Sequence, residues 1–296
     1  MKFRFIKYLR LLCNNCFIRL FFRNKEEQKK YYVSVCAIFK NEAKYLKEWI
    51  DYHLIVGVDH FYLYNNYSDD NYEKVLKPYI QRQLVTLIQW DMPAGQIPAY
   101  NDCLKRFGDD SSWIGFIDLD EFVTPLKFTN IPDWLKQFAK FPCVMCFWKM
   151  FSSSGLLKED KEKPVVEQFF LAQEKHTSPK MFFNTRFRNW LASENFLHSC
   201  RLKFFGRVCP QYPHLFMYGS EKLRDPEIQI NHYFNKSLAY YIEKKIPVGM
   251  ADRAGFRTMD LFWDCENLAV VPDYSAWRFL IRLKTFDLDR FLENRL

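Results

Sequence analysis

The 296-residue sequence lacks the signatures of several large protein classes. It contains neither a G-x-G-x-x-G motif nor a Walker A sequence, so a dinucleotide-binding or NTPase function loses its main support. No window approaches the roughly 18 consecutive apolar residues that a membrane-spanning helix needs. The uninterrupted apolar segment and small-residue cleavage site of a secretory signal peptide are also missing.

The net charge of +8 is concentrated in residues 1–30. This segment contains nine Lys or Arg and two Glu, a net charge of +7, which leaves +1 for the remainder of the chain. A nearly neutral body argues against a nucleic-acid groove, so no nucleic-acid partner is expected. An anionic membrane surface is the expected partner of the basic segment.

The nine cysteines, without a secretory signal, are typical of free thiols in a reducing compartment. The two C-x-x-C pairs, Cys13/Cys16 and Cys143/Cys146, do not indicate zinc, because one lies in the basic segment and the other inside an apolar run. We therefore expect a cytoplasmic protein that is peripheral on the inner face of the plasma membrane.

Residues 1–30 are expected to form a unit of their own. Their apolar residues recur near helical spacing, at Ile6, Leu9, Cys13, Phe17, Leu20 and Phe21. A basic amphipathic helix that lies in a membrane interface fits this pattern. A helix packed on the protein's own body fits it equally well.

Residues 31–125 alternate between short apolar runs and segments of helical periodicity, which predicts an α/β fold with a mostly parallel sheet and helices on both faces. The predicted strands are Tyr31–Phe39, His60–Tyr64, Leu84–Trp90 and Trp113–Ile117. The predicted helices are Glu42–Val56, a segment from Ser68 to about Ile80, and Ile97–Phe107.

After Pro125 the alternation weakens, and no strong linker divides residues 31–296, so we treat them as one domain. The predicted strands of this part are Val144–Phe147, Lys180–Phe187, Arg201–Val208 and Ile228–Phe234. The predicted helices are Pro132–Phe138 and a segment that starts at Ser237.

Polar clusters follow three of the predicted strands, namely Lys40-Asn41-Glu42, Asn65-Asn66 and Asp118-Leu119-Asp120. Ligands of parallel α/β sheets bind at the carboxyl ends of the strands, so the clusters are predicted to form one site. Asp118 and Asp120 point the same way on an extended chain. Such a pair suits a hard divalent cation that keeps positions open for phosphate oxygens.

Four stretches in this order carry a family resemblance: VSVCAIFKNEAKYLKEWIDYH, HFYLYNNYSDD, FIDLDEF and NHYFNKSLAYYIEKK. Over roughly residues 32–275 the chain resembles glycosyltransferases of the GT-A type, most of all family 92 and its bacterial family-2-like relatives. The resemblance implies a Rossmann-related, GT-A-like sheet, a nucleotide-sugar donor (a UDP-sugar first), a divalent ion (Mn²⁺ or Mg²⁺) and an inverting transfer. Residues 31–125 would bind the nucleotide sugar and residues 126–296 the acceptor.

The resemblance also implies roles for single residues in the nucleotide half. Lys40, Asn41 and Glu42 match the motif beside the nucleotide. Asn65 and Asp70 match a stretch that faces the base and the ribose. Asp118 and Asp120 match the D-x-D pair, both as metal ligands, with Asp120 the more direct of the two and Asp118 also contacting the donor.

In the second half, Trp148 and Ser154 match a W-x-x-F-G-S-S-G segment near the donor sugar and the acceptor, with Ser152 in place of its glycine. His232 matches a third metal ligand or a phosphate contact. The segment Gly249–Asp252 resembles the family's G-R-A-D, but Met250 replaces the arginine, so a phosphate contact from that position would be lost.

An inverting transfer needs a general base for the acceptor hydroxyl. The candidates are Glu42, Glu121, Glu174, Asp252, Asp264 and Asp273. Glu42 lies on the nucleotide side and Glu121 beside the metal carboxylates, which disfavours both. Of the four remaining candidates, we expect Asp252 to be the catalytic residue.

These observations predict an inverting, metal-dependent hexosyltransferase that acts on a cell-surface glycan or glycolipid of the lipopolysaccharide or capsule type. A nucleotidyltransferase also uses a D-x-D metal site, but its glycine-rich activation loop is replaced here by FKNEAKYL. A non-catalytic module that binds a sugar or a metal is the third alternative.

Overall fold

The computed structural model describes residues 2–21, 28–191, 201–203, 206–207, 223–249 and 255–294. Its main element is an eight-stranded sheet. The strands of this sheet are β1 (Tyr31–Phe39), β2 (His60–Asn65), β3 (Val85–Gln89), β4 (Ser111–Phe116), β5 (Glu121–Pro125), β6 (Cys143–Met150), β8 (Pro179–Asn184) and β11 (Ile228–His232). Two short pairs lie outside it: β7 (Leu171–Ala172) with β12 (Val271–Pro272), and β9 (Arg201–Leu202) with β10 (Gly206–Arg207).

The helices are short apart from the first. They are α1 (Lys2–Phe21), α2 (Ala43–Ile55), α3 (Tyr72–Gln81), α4 (Gln96–Phe107), α5 (Ile131–Lys136), α6 (Val165–Gln168), α7 (Leu238–Tyr240), α8 (Ile246–Val248), α9 (Met259–Leu268), α10 (Leu280–Lys284) and α11 (Leu288–Glu293). A π-helical turn, Tyr241–Lys245, joins α7 to α8, and 3₁₀ turns lie at Thr185–Trp190 and Ser275–Phe279.

The strand order is β3-β2-β1-β4-β8-β6-β11-β5. The first four strands are parallel to their neighbours, as the alternation of strands and helices predicts. The pairings β4–β8, β8–β6 and β11–β5 are antiparallel, whereas β6 and β11 are parallel. Both halves of residues 31–296 therefore contribute to one sheet, and the predicted α/β class is confirmed.

Helices cover both faces of the sheet, as predicted. Along β1, Val33, Val35 and Ala37 join the core cluster that contains α2 and α3. Cys36 and Ile38, which point the other way, join the cluster that contains α4. Alternation of side chains along a strand produces this division, because both faces of a parallel strand are buried.

Most predicted elements agree with the structure to within two residues. In the first half, α3 begins at Tyr72, four positions after the predicted Ser68. The other exceptions lie after residue 116. The predicted strand Lys180–Phe187 ends at Asn184 and continues as a 3₁₀ turn. Strand β5 was not predicted. The predicted strand Arg201–Val208 lies partly outside the described residues. The predicted start at Ser237 is confirmed, because its Oγ accepts a hydrogen bond from the backbone N–H of Tyr240, as an N-cap does.

Helix α1 is present as predicted, and one of its faces is buried. Leu11, Asn15 and Ile18 are buried on the body of the protein. Within the described part of the chain, no helix is both long enough and apolar enough to cross a membrane.

Gly115 provides a test of the contact between β4 and β8. A Cβ atom at this position would lie 2.5 Å from Cε1 of Phe182, a fully buried ring. We expect Gly115→Ala to lower the free energy of unfolding by about 1–3 kcal/mol, the usual cost of overpacking a core. Denaturant unfolding measures it, and Ser112→Ala, at a half-buried position of the same strand, is the matched control. Equal stability of the two variants would contradict the packing described here.

Candidate active site

A cavity of about 540 Å³ opens at the carboxyl ends of β1, β4, β6 and β11. Its acidic and basic lining residues are Lys40, Glu42, Asp118, Asp120, His232, Lys244, Lys245 and Arg257. Its aromatic lining residues are Phe39, Tyr67, Trp148, Phe234 and Tyr240. The clusters after β1 and β4 therefore meet at one site, where the fold class predicts ligand binding.

Asp118 is held by three donors at the inner end of this site. Lys180 Nζ lies 2.9 Å from Oδ2, while Gln96 Nε2 and the Tyr100 hydroxyl donate to Oδ1 over 2.5 Å and 3.1 Å. Gln96 and Tyr100 belong to α4, and Lys180 to β8. Both oxygens of Asp118 therefore already have hydrogen-bond partners within the protein.

Lys180 is the buried counter-ion of two carboxylates. Its ammonium also lies 3.7 Å from Oε1 of Glu121 and 5.7 Å from the centre of the Trp148 ring. Burial would raise the pKa of Asp118, but the charge and hydrogen bond of Lys180 outweigh it and hold the pKa below its usual range. For Glu121, burial dominates and, together with Asp118 and Asp120, raises the pKa well above its usual range despite Lys180.

Asp120 faces a different set of partners. Lys245 forms a close ion pair with its Oδ2, and His232 Nε2 lies 3.5 Å from Oδ1. Burial would raise the pKa of Asp120, but the charge of Lys245, together with the adjacent His232 side chain, holds it well below its usual range. Burial lowers the pKa of His232 despite the nearby Asp120, which favours the neutral imidazole.

The predicted metal ligands fit a divalent ion only in part. Among the described residues, no three His, Cys, Asp or Glu side chains form a group that could hold a metal ion. Both oxygens of Asp118 already have protein partners, namely Lys180, Gln96 and Tyr100, and its role as a metal ligand stays a prediction. Asp120 and His232 do fit, since Nε2 of His232 lies 3.5 Å from Oδ1 of Asp120, a separation that two ligands of one ion can have. A hard cation held by one or two protein ligands completes its shell with phosphate and water oxygens.

Lys244 ties the end of β1 to the turn that follows α7. Its ammonium lies 3.2 Å from Oε1 of Glu42 and donates hydrogen bonds to the carbonyl oxygens of Lys40 and Asn41. Asn41 has a positive φ of 56°, and its side-chain oxygen accepts a hydrogen bond from the N–H of Asp69. Of the predicted motif, Lys40 and Glu42 therefore line the cavity, whereas Asn41 supports their backbone.

Three residues predicted to bind the donor hold loops in place instead, and none is among the described residues that line the cavity. The side chain of Asn65 is buried and bonds Tyr72 and Gln89. Asp70 Oδ2 accepts the backbone N–H of Ala43 at the start of α2. Ser154 Oγ accepts the N–H groups of Phe170 and Leu171. Their short polar side chains satisfy backbone donors, which motif matching cannot separate from ligand binding.

The carboxylates that line the described cavity wall are all paired: Glu42 with Lys244, Asp118 with Lys180 and Asp120 with Lys245. Of the other candidate bases, Glu174, Asp264 and Asp273 are not among the described lining residues. Asp252 and Met250 lie outside the described residues. Gly249 and Arg257, on either side of that segment, both line the cavity.

Sequence reasoning missed several residues of the site, namely Tyr67, Gln96, Lys180, Phe234, Tyr240, Lys244, Lys245 and Arg257. A signal was present for five of them, because Tyr67 lies in the stretch HFYLYNNYSDD and Phe234, Tyr240, Lys244 and Lys245 lie in NHYFNKSLAYYIEKK. No local signal marks Lys180, which reaches Asp118 from 62 positions along the chain.

The chain is similar to known proteins over most of its length. The model of the family described as "Glycosyltransferase family 92" matches residues 29–245. Among curated proteins, "Glycosyltransferase family 92 protein Os08g0121900" of Oryza sativa subsp. japonica is 34% identical over 116 residues, 39% of this chain and 20% of that protein. "Beta-1,4-galactosyltransferase galt-1" of Caenorhabditis elegans is 31% identical over 114 residues, 34% of this chain and 27% of that protein. The chain thus covers about a fifth to a quarter of the length of these relatives.

Among solved structures, S. aureus TarS 1–349 in complex with UDP-GlcNAc is 15% identical, with a TM-score of 0.41. The match covers 90% of this chain and 76% of that one.

Lys180→Met should leave Asp118 and Glu121 buried without their cation. Breaking a buried ion pair costs about 3–5 kcal/mol, so we expect a loss of that size in the free energy of unfolding at neutral pH. In the parent, the lowered pKa of Asp118 contributes stability that is lost as pH falls. In the variant, uncompensated burial raises the pKa of the Asp118 carboxyl, and its protonation at lower pH reduces the destabilisation.

The difference between the parent and Lys180→Met should therefore narrow as pH falls from neutral toward the usual carboxyl pKa of about 4. Denaturant unfolding across this pH range measures it. Lys163→Met is the matched control, because Lys163 forms an exposed 3.6 Å pair with Asp160, and such pairs contribute about 0–1 kcal/mol. If the difference in free energy of unfolding stays constant or widens at acid pH, Lys180 is not the counter-ion of Asp118 and Glu121.

Proposed function

The chain belongs to glycosyltransferase family 92, and from this premise we propose that it transfers a hexose from a nucleoside-diphosphate sugar to a hydroxyl group of a glycan acceptor. The observation that carries the proposal is the cavity, where four basic side chains meet three acidic ones beside five aromatic rings. Basic side chains suit the charge of a diphosphate. Aromatic faces suit a nucleobase or a sugar ring.

Sugar transfer requires negative charge to be stabilised on the departing diphosphate. Lys244, Lys245 and Arg257 supply fixed positive charge at the cavity wall. Asp120 and His232 would hold a divalent ion, Mn²⁺ or Mg²⁺, which when bound would supply Lewis-acid stabilisation of the phosphates. Asp118 positions Lys180 and the end of α4 rather than the ion. The network of Asn65, Asp70 and Asn41 fixes the loops that border the nucleotide side.

For an inverting transfer, we assign the general base to Asp252. Two facts support it: the described cavity carboxylates are all paired with lysines, and both residues that flank the segment around Asp252, Gly249 and Arg257, line the cavity. The base would take the acceptor hydroxyl proton as the bond to the anomeric carbon forms. Trp148 supplies an aromatic face beside His232, with ring centres 4.7 Å apart, against which a sugar ring can stack.

UDP-galactose is the first donor to test, because one relative is named a β-1,4-galactosyltransferase. The proposed acceptor is a cell-surface glycan or glycolipid of the lipopolysaccharide or capsule type. The proposed location is the inner face of the plasma membrane, where the protein is peripheral; the +7 charge of residues 1–30 supports it.

Product analysis separates the three functions that the sequence leaves open. Incubation with UDP-sugars and Mn²⁺ should release nucleoside diphosphate, faster with acceptor present. Asp120→Asn should reduce this release by at least about a hundredfold, because the charge that faces Lys245 and His232 is lost. The same substitution should abolish Mn²⁺ binding measured by calorimetry, while circular dichroism stays that of the parent.

Asp289→Asn is the matched control, since Asp289 is exposed on α11 and pairs with Arg82 outside the cavity. Release of pyrophosphate would identify a nucleotidyltransferase instead. Donor binding without any product would identify a non-catalytic module. Parental turnover in Asp120→Asn would remove Asp120 from the mechanism.

Asp252→Asn tests the base separately from the donor site. We expect kcat to fall by about 10²–10⁴, the usual contribution of a general base, with little change in the KM for the donor. Steady-state kinetics at saturating acceptor measures it, with the exposed Asp260→Asn as control. If Asp252→Asn keeps the parental kcat, the base is another residue, and Asp264, Glu174 and Asp273 are the next to substitute.

A further inference from the structure

One face of helix α1 packs against the body of the protein. Leu11, Asn15 and Ile18, spaced by four and three positions, are buried. Ile18 joins the core cluster on the α4 side of the sheet, and Leu11 clusters with Met145 and Phe147 of β6. The helix therefore lies against the body of the protein and has a fixed outward face.

The outward face of α1 is a continuous apolar stripe. At 3.6 residues per turn, seven exposed residues fall on the side of the helix opposite to its buried face. They are Phe5, Ile6, Leu9, Cys13, Cys16, Phe17 and Leu20. The exposed fraction reaches 63% at Ile6 and 83% at Leu20. Soluble surfaces carry single exposed apolar residues, whereas a contiguous stripe of this kind indicates a binding surface.

The charges of α1 specify the kind of partner. The helix contains five Lys or Arg and no acidic residue. Arg10 and Arg19, both exposed, flank the stripe on its two edges. Long basic side chains at the edges of an apolar stripe can keep the apolar residues buried while their charges reach lipid headgroups.

We propose that the stripe formed by these seven residues binds an anionic membrane surface, with α1 lying in the membrane plane between the bilayer and the body of the protein. This proposal rests on the peripheral location proposed above and identifies the part of the protein that contacts the membrane. Vesicle binding is measured without donor or acceptor, so its failure would leave the proposed transfer reaction standing.

Two native thiols report directly on this surface. Cys13 and Cys16 are exposed in the centre of the stripe, whereas the other described cysteines, Cys36, Cys103, Cys143, Cys146 and Cys265, are buried. Vesicles of phosphatidylcholine and phosphatidylglycerol should slow maleimide labelling of Cys13 and Cys16 by at least about tenfold, as measured by peptide mass spectrometry. Pure phosphatidylcholine vesicles should protect them less, because the attraction to anionic headgroups is missing.

A double variant, Leu9→Gln with Phe17→Gln, removes apolar surface without changing charge. Since both side chains lose apolar surface that the bilayer would bury, we expect vesicle affinity in flotation assays to fall more than about a hundredfold. Thermal unfolding should match the parent, because both residues are exposed. Leu157→Gln is the matched control, since Leu157 is an exposed leucine outside α1, and it should bind vesicles like the parent.

Three outcomes would overturn the proposal. The first is unchanged labelling of Cys13 and Cys16 with anionic vesicles. The second is parental vesicle affinity in the double variant. The third is a dimer of the parent, seen by light scattering without lipid and lost in the double variant, because the stripe would then bind a second copy of the chain.

Discussion

The shape of the site depends on one buried cation, the ammonium group of Lys180. The turn after β4 brings Asp118, Asp120 and Glu121 together within four positions, and Glu121 is fully buried. Carboxylates removed from water are costly unless an opposite charge or hydrogen bonds compensate them. Strand β8, inserted antiparallel between β4 and β6, delivers Lys180 to Asp118 and Glu121. The break in the parallel sheet is therefore what allows an acidic turn to exist in its interior.

A second basic segment compensates acidic side chains on the cavity side. The π-helical turn Tyr241–Lys245 follows β11, and its last two residues reach different acidic groups. Lys244 contacts Glu42 after β1, and Lys245 contacts Asp120 after β4. Single π turns inside helices occur frequently at functional sites, because the wider turn redirects side chains. This turn connects the segments that follow β1 and β4 through charge, in addition to the backbone hydrogen bonds that pair the two strands.

Local patterns predicted the fold better than the site. Short apolar runs and helical spacing located β1 to β4 and α2 to α4, since these elements are buried along a short stretch of chain. The antiparallel strands β5 and β8 depend on partners far along the chain, which local patterns do not contain. Within the site, the sequence located Asp118, Asp120 and His232, but the partners of Asp118 and Asp120 come from 62 and 125 positions away. Asn65 and Asp70 were assigned to the donor from the family resemblance. In the structure both side chains accept backbone N–H groups of neighbouring loops, a role that a motif match does not distinguish from ligand binding.

The two aspartates of the D-x-D pair differ chemically because their surroundings differ. Asp118 is held by Lys180, Gln96 and Tyr100, all nearly or fully buried, while its own side chain is 30% exposed at the cavity wall. Asp120 is paired with Lys245, the last residue of the π-helical turn, and both side chains line the cavity. An ion that binds Asp120 must therefore compete with the ammonium group of Lys245. The diphosphate of a donor is negatively charged, like Asp120, and so offers this ammonium group an alternative partner. Donor and divalent ion would then favour each other's binding through Lys245, since each takes one member of an existing ion pair.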